Sequence, residues 1–199
     1  MVLLFWFEET FKKYAIFLKN KAHIKLRIFI DGVEGDKSTG LIHWPILGKI
    51  LEVDVNIIFP IALHTGYDKP KCVESYLRQF VDESNKLHLE GILIDNQRYE
   101  FSITRIVGDA PARVMFLNII GYTAFGHCLY CHVTGKRLHF RNYFYDDVAP
   151  LKRNREEFFN LGYMPQLQNG PTPLMDLEDF DIMEDCPYDP MHMFVGAAS

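Results

Sequence analysis

Four residues in this chain combine reactive side chains with a spacing that can assemble a site. Asp31 and Asp109 each follow a run of strand-forming residues, Leu26–Ile30 and Tyr99–Val107, so both stand at the carboxyl end of a predicted strand. That edge is where open α/β sheets bind ligands. If the two strands are neighbours, the carboxylates converge across 78 residues of sequence. Paired carboxylates are hard oxygen ligands suited to Mg²⁺ or Mn²⁺. Two such ions clamp the attacking and leaving oxygens of an in-line phosphoryl displacement. Each aspartate also has a plain structural reading. Asp31-Gly32 reads as the turn of a hairpin, and Asp109 before Ala110-Pro111 reads as a helix N-cap.

The other two are Cys128 and Cys131, a Cys-x-x-Cys that serves either as a zinc half-site or as a redox pair. A redox pair needs its first thiol at a helix N-terminus soon after an early strand. This pair comes late, amid Gly126 and His127, which suits a metal knuckle better. Two thiolates do not close a tetrahedral site. His127, His132, His139, Cys186 and His192 are the available partners, and spacing does not choose among them. Two reduced, buried thiols are the plain alternative. Cys72 falls on a predicted helix and reads as a packing or surface residue. Lys136, Arg137, His139 and Arg141 alternate with Phe140, Tyr143 and Phe144, the mixture found on single-strand nucleic-acid surfaces and equally on ordinary exposed strands. The chain has no Gly-rich phosphate loop, no serine nucleophile elbow and no HExxH.

These residues need a scaffold, and hydrophobic period outlines one. Leu26–Ile30, Ile42–Leu51 and Asn56–Leu63 are three closely spaced β-like runs, most easily antiparallel because a parallel pair needs a crossover of a dozen or more residues. Pro45 and Gly48 predict that the second run is an edge strand or a bulged one. From Cys72 to Leu89 the period becomes helical, with Val73, Tyr76, Leu77, Phe80 and Val81 on one face and Gly91 just beyond. Tyr99–Val107 is a fourth strand, and Ala110–Ile120 reads as a second helix with Pro111 in its first turn. Three strands, a helix, a strand and a helix predict a mixed α/β sheet with an antiparallel start and a parallel crossover, an order compatible with a ribonuclease-H-like core. The division expected is a helical leader over 1–24, a core over 25–145 and an acidic segment over 146–199.

Composition agrees with a globular chain. It has 199 residues, of which 48% are hydrophobic and 24% charged, which excludes disorder, and its four cysteines are too sparse for a disulfide scaffold. The net charge of −5 is unevenly spread. All 21 Lys and Arg lie at or before Arg155 with 17 of the 26 acids, leaving residues 1–155 at +4, and the other nine acids give residues 156–199 a charge of −9. The opening MVLLFWF is followed at once by Glu8 and Glu9 and falls far short of the ~20 apolar residues that span a bilayer, so no membrane partner is expected. Phe7, Phe11, Tyr14 and Leu18 instead predict a leader helix packed on the body.

IDGVEGDKSTGLIHWPILGKI (30–50), VGDAPAR (107–113), GYTAFGHCLYC (121–131) and EDCPYDPMHMFVG (184–196) resemble, in this order, the catalytic region of transposase-derived proteins related to the CACTA/Mirage/Chapaev group of cut-and-paste DNA transposons. The resemblance implies a ribonuclease-H-like fold with a DDE/D acidic triad, Asp31 being the first acid and Asp109 the second, holding Mg²⁺ or Mn²⁺. It implies that Cys128, Cys131 and His192 belong to one Zn²⁺-binding insertion. It implies DNA as partner, a nuclear or otherwise intracellular location, and strand cleavage and transfer as activity, and it leaves a homo-oligomer open. Two features depart from the pattern: Gly121-Tyr122 stands where relatives carry Gly-His, and Cys186 where they carry an aromatic. The third acid of such enzymes lies in a helix well beyond the Met-His pair, and none of Glu178, Glu184, Asp185 or Asp189 matches it. The expectation is therefore a truncated catalytic core, without the amino-terminal DNA-binding module, whose chemistry is incomplete in this chain. The alternative is a domesticated or decayed remnant that binds DNA or protein without cutting. A thiol-redox protein using Cys128 and Cys131 is the third reading.

Overall fold

The first strand, β1 (His23–Ile30), alternates: Ile24, Leu26, Ile28 and Ile30 are fully buried while Lys25 is exposed and Arg27 and Phe29 are partly so. A period of two with one face buried is the signature of a sheet covered on one side. The computed structural model describes residues 10–13, 15, 18, 21–35, 38–53, 58–121, 124–126, 128–139, 141–143 and 149–187. Among these, β2 (Val33–Glu34), β3 (Ile42–Ile50), β4 (Ile58–Gly66), β5 (Ile92–Ile94) and β6 (Gln97–Val107) join β1 in one six-stranded sheet. β3 runs antiparallel to both β1 and β4, β6 runs parallel to β1, and β5 closes a hairpin on β6. The protein is thus mixed α/β with a mixed sheet, as the period and spacing predict.

The connection from β4 to β6 carries helix α1 (Val73–Glu90), which lays Tyr76, Leu77, Phe80, Val81 and Leu87 against the sheet. Each such side chain contributes about 1.5–3 kcal/mol on burial. Gly91 ends the helix at φ 72°, and its N–H returns to the Leu87 carbonyl at 2.8 Å. A Cβ at Gly91 would lie 2.7 Å from the Tyr99 carbonyl, so only glycine fits there. Helix α2 (Ala110–Phe116) follows β6 and ends four residues before the expected stop, because Asn118 turns the chain at φ 51°. Short elements complete the list: β7 (Lys136–Leu138) with β8 (Arg141–Tyr143) as a separate ribbon, and α3 (Arg155–Phe159). No helix among the described residues is long and apolar enough to cross a membrane.

Two expectations change. Of the two forms expected for β3 the edge strand is not found, since it lies between β1 and β4, and the bulged one is: its register against β4 shifts between Ile46 and Leu47. Asp31-Gly32 is not a hairpin turn. Ile30 pairs with Ile46 and Val33 with His43, so β2 continues β1 along β3 in unbroken register, and the reversal comes later, where the Gly35 N–H meets the Leu41 carbonyl at 2.9 Å. The hairpin of β5 with β6 was not foreseen; Asp95 and Asn96 turn it at φ 49° and 63°, as a two-residue primed turn requires.

The acidic segment completes the core. Phe158, Leu167, Leu174, Leu177, Phe180, Ile182 and Cys186 are buried in the same cluster as the sheet. Its backbone is tied down as well: the Thr172 hydroxyl donates to the Phe116 carbonyl at 2.6 Å, and Ile106 N–H to the Asp185 carbonyl at 2.9 Å. Phe11 and Leu18 of the leader are fully buried, and Phe11 meets Phe59 edge-on at 6.3 Å; Phe7 and Tyr14 lie outside the described residues.

Candidate functional site

The sheet register is what brings the two aspartates together. The last paired rung between β1 and β6 is Phe29 with Val107, and Asp31 and Asp109 each lie two residues further along the chain. The same offset therefore carries them to neighbouring positions, about 5 Å apart if the strands keep their usual spacing. The strands do stay in contact at the intervening rung, because a Cβ at Gly108 would lie only 2.7 Å from the Ile30 carbonyl.

Pro45 explains why Asp31 stands out of the ladder. The Leu51 N–H donates to the Lys25 carbonyl at 3.0 Å, so alternate residues of β3 turn their N–H groups toward β1. Counted along this register, Pro45 stands opposite Asp31, and proline has no N–H with which to close that rung. The Asp31 side chain is exposed, and its Oδ1 accepts the Gly32 N–H at 2.8 Å. Asp109 is the N-cap of α2, its Oδ1 accepting the Ala112 N–H at 2.8 Å. The N-cap reading of Asp109 is thus correct, and it is compatible with a second role at the same edge.

Cys128 and Cys131 also come together, their Sγ atoms 3.2 Å apart. That is too long for a disulfide, and close to the ~3.8 Å that two thiolates span across a tetrahedral zinc. Arg153 braces the loop, its Nε donating to the Cys128 carbonyl at 2.9 Å and the Cys131 carbonyl at 3.1 Å. Burial pushes the Cys131 thiol above its ordinary value. No helix follows Cys128, so no helix N-terminus is there to activate a thiol in the manner of a redox pair. The Tyr130 hydroxyl donates to the Cys186 carbonyl at 3.1 Å, which brings the segment preceding His192 against the knuckle. His192 itself, like His127 and Asp189, lies outside the described residues.

The remaining candidates are dispersed. His132 packs edge-on against Tyr163 at 5.4 Å, and His139 is exposed at the β7–β8 turn. Cys186 is fully buried, and burial pushes its thiol well above the ordinary range. Cys72 is exposed at the N-cap of α1, where the Ser75 backbone N–H lowers its thiol. The Glu178 backbone N–H donates to Asn85 Oδ1, and Asp185 Oδ2 accepts the Asp181 N–H. Among the described residues no group of three His, Cys, Asp or Glu side chains is placed to hold a metal ion.

Sequence reasoning passed over Arg113 and Arg153, both of which act on backbone carbonyls distant in sequence. Arg113 is 2% exposed and donates to the Cys186 carbonyl. Replacing it with alanine is expected to loosen residues 180–187, so that Cys186, fully buried in the wild type, becomes open to alkylation under native conditions while the wild-type thiol stays protected. Unchanged protection would show that the apolar contacts alone hold this segment. No family model, curated protein or solved structure matches the chain.

Proposed function

We propose that this chain carries the catalytic-core portion of a transposase-type DNA-cleaving protein with a ribonuclease-H-like sheet. The observation that supports it is the shared offset of Asp31 and Asp109 beyond the Phe29–Val107 rung of two parallel neighbours. The sheet order β4-β3-β1-β6, antiparallel for three strands and parallel at the fourth, agrees with this reading, and the sequence motifs run in the order of the family the chain resembles. In this role Asp31 and Asp109 hold Mg²⁺ or Mn²⁺, which when bound stabilises the charge that develops on the attacking and leaving oxygens of a phosphodiester. The residues themselves position the ion: Gly32 N–H and Ala112 N–H each fix one carboxylate oxygen, and Pro45 keeps Asp31 out of the ladder. The test is nicking of a supercoiled plasmid with Mn²⁺, wild type against Asp31→Ala. Metal-dependent nicking lost in the variant supports the reading; nicking that survives it removes Asp31 from the chemistry.

A second reading is favoured by a specific observation, the lack of a third acid beside the pair among the described residues. On that reading the chain binds DNA without cutting it, and the plasmid stays intact while a labelled duplex is still retained.

The knuckle is read as the start of a Zn²⁺ site held by Cys128 and Cys131, with His192 as its third ligand. Elemental analysis is expected to find one zinc per purified chain, falling below about a tenth of that in Cys128→Ser and Cys131→Ser. A zinc-free wild type in which both thiols titrate with a disulfide reagent would move the pair to the thiol-redox reading.

A further inference from the structure

We propose that the β7–β8 ribbon is an arm that enters the major groove of duplex DNA; the inference rests on the DNA reading above and adds to it a contact surface away from the aspartates. All three residues of β7, Lys136, Arg137 and Leu138, are exposed. Neither strand joins the six-stranded sheet. The two strands pair in short antiparallel register, Lys136 with Tyr143 and Leu138 with Arg141, and Tyr143 is 47% exposed.

Charge and shape choose the partner. The ribbon itself, residues 136–143, carries Lys136, Arg137 and Arg141 and no acid; Asp146 and Asp147 follow it in sequence. Among the described residues Lys136 and Arg137 make no ion pair. Unpaired exposed cations on a thin projection are matched by a polyanion, and their neutralisation of phosphates releases counterions. A strand of three residues is about 10 Å long. The B-form major groove is about 12 Å wide and 8.5 Å deep and admits a two-stranded ribbon, so this one reaches the groove floor. The A-form groove of duplex RNA is too narrow and deep for it.

The ribbon is also held at its base. Gly135, which leads into β7, is buried and donates to the Phe125 carbonyl at 2.7 Å. Next to it, His132 N–H donates to the Leu151 carbonyl at 2.9 Å, and Cys131 bridges to Lys152. A braced base lets a short ribbon enter a groove without a large ordering cost.

The experiment is fluorescence anisotropy of a labelled 25-base-pair DNA duplex with the full chain, in EDTA, over a salt series. The Lys136→Gln/Arg137→Gln double variant is expected to bind at least tenfold more weakly at low salt. Its plot of log affinity against log salt should be shallower by about 1.8, the value for two lost phosphate contacts. Both residues are exposed, so the variant should melt with the wild type. Duplex RNA and single-stranded DNA of the same sequence are expected to bind more weakly than duplex DNA. Equal affinity and slope for wild type and variant would overturn the arm, as would RNA duplex or single strand bound as tightly as DNA duplex. Because no metal is present, loss of the cleavage reading leaves this result standing. Loss of the arm alone leaves duplex binding intact in the double variant.

Discussion

Asp109→Asn is expected to lower the affinity for Mn²⁺ at least tenfold while leaving the fold in place. The tenfold corresponds to about 1.4 kcal/mol of binding free energy. Asp109 caps α2 and is proposed here as a metal ligand, and the substitution separates the two roles. As N-cap it accepts the Ala112 N–H at 2.8 Å, and asparagine makes the same bond with its amide oxygen. As a metal ligand it brings a full negative charge to a hard cation, and asparagine does not. Loss of the charge at the start of α2 costs at most about 1 kcal/mol through the helix dipole. Asp109→Ala removes cap and charge together, so it is expected to lose the same Mn²⁺ affinity and a further ~1 kcal/mol of stability. Asp31→Asn, with no cap to lose, should match Asp109→Asn in affinity. Free Mn²⁺ read by paramagnetic resonance gives the binding constant and urea melts give the stability. An asparagine variant at either position that still binds Mn²⁺ like the wild type would mean that the pair shares a sheet edge and nothing more.

Gly108→Val is expected to destabilise the protein by about 3 kcal/mol, the upper end of what overpacking a close-fitted site costs. A Cβ at this position meets the Ile30 carbonyl at 2.7 Å, the Phe116 ring at 2.9 Å and the Ala112 methyl at 3.0 Å. The first is backbone of the central strand and cannot rotate away, while the other two belong to α2 as it turns off the sheet. Relief requires β1 and β6 to part at the rung just before Asp31 and Asp109. The loss should therefore appear twice, as a urea midpoint lowered by about 1–2 M for a typical slope and as weakened Mn²⁺ binding in the fraction that folds. A midpoint within about 0.3 M of the wild type would mean that the two strands already stand apart at Gly108.

How far the sequence alone leads is visible in these same residues. The alternation of Ile24, Leu26, Ile28 and Ile30 and the helical spacing of Tyr76, Leu77 and Phe80 predict their elements within a few residues, because burial of one face imposes the period directly. The β5–β6 hairpin has its signal in Asp95-Asn96, a dipeptide tolerant of left-handed backbone, but Ile92–Ile94 is too short at three residues to show a period. Pro45 predicts an edge strand or a bulged one. Its lost N–H is absorbed inside the sheet, where β1 stops at Asp31 and resumes at Val33. A local rule about proline says that a rung is missing and does not say which strand lies across from it.

The acidic segment makes the same point energetically. Its charge is −9, yet Phe158, Leu167, Leu174 and Phe180 complete the core. Two of its acids meet cations of the body, Asp176 with Arg78 at 2.8 Å and Asp181 with Arg155 at 4.0 Å. These partly exposed pairs contribute at most about 1 kcal/mol each, so apolar burial rather than charge attaches the segment.

By itself the sequence determined the residue types, the periods of the main elements, the class of fold and the identity of four reactive side chains, since each is written in neighbours a few positions apart. Only the tertiary structure decided that Asp31 and Asp109 stand at the same offset beyond the last rung of two adjacent strands, that the pairing along β3 resumes after Asp31, and that Arg113 and Arg153 anchor segments around Cys186 and the Cys128–Cys131 loop. Those facts depend on strand order, register and backbone carbonyls brought close from far along the chain. Non-local pairing is selected by the packing of the whole core, and no short window of residues contains it.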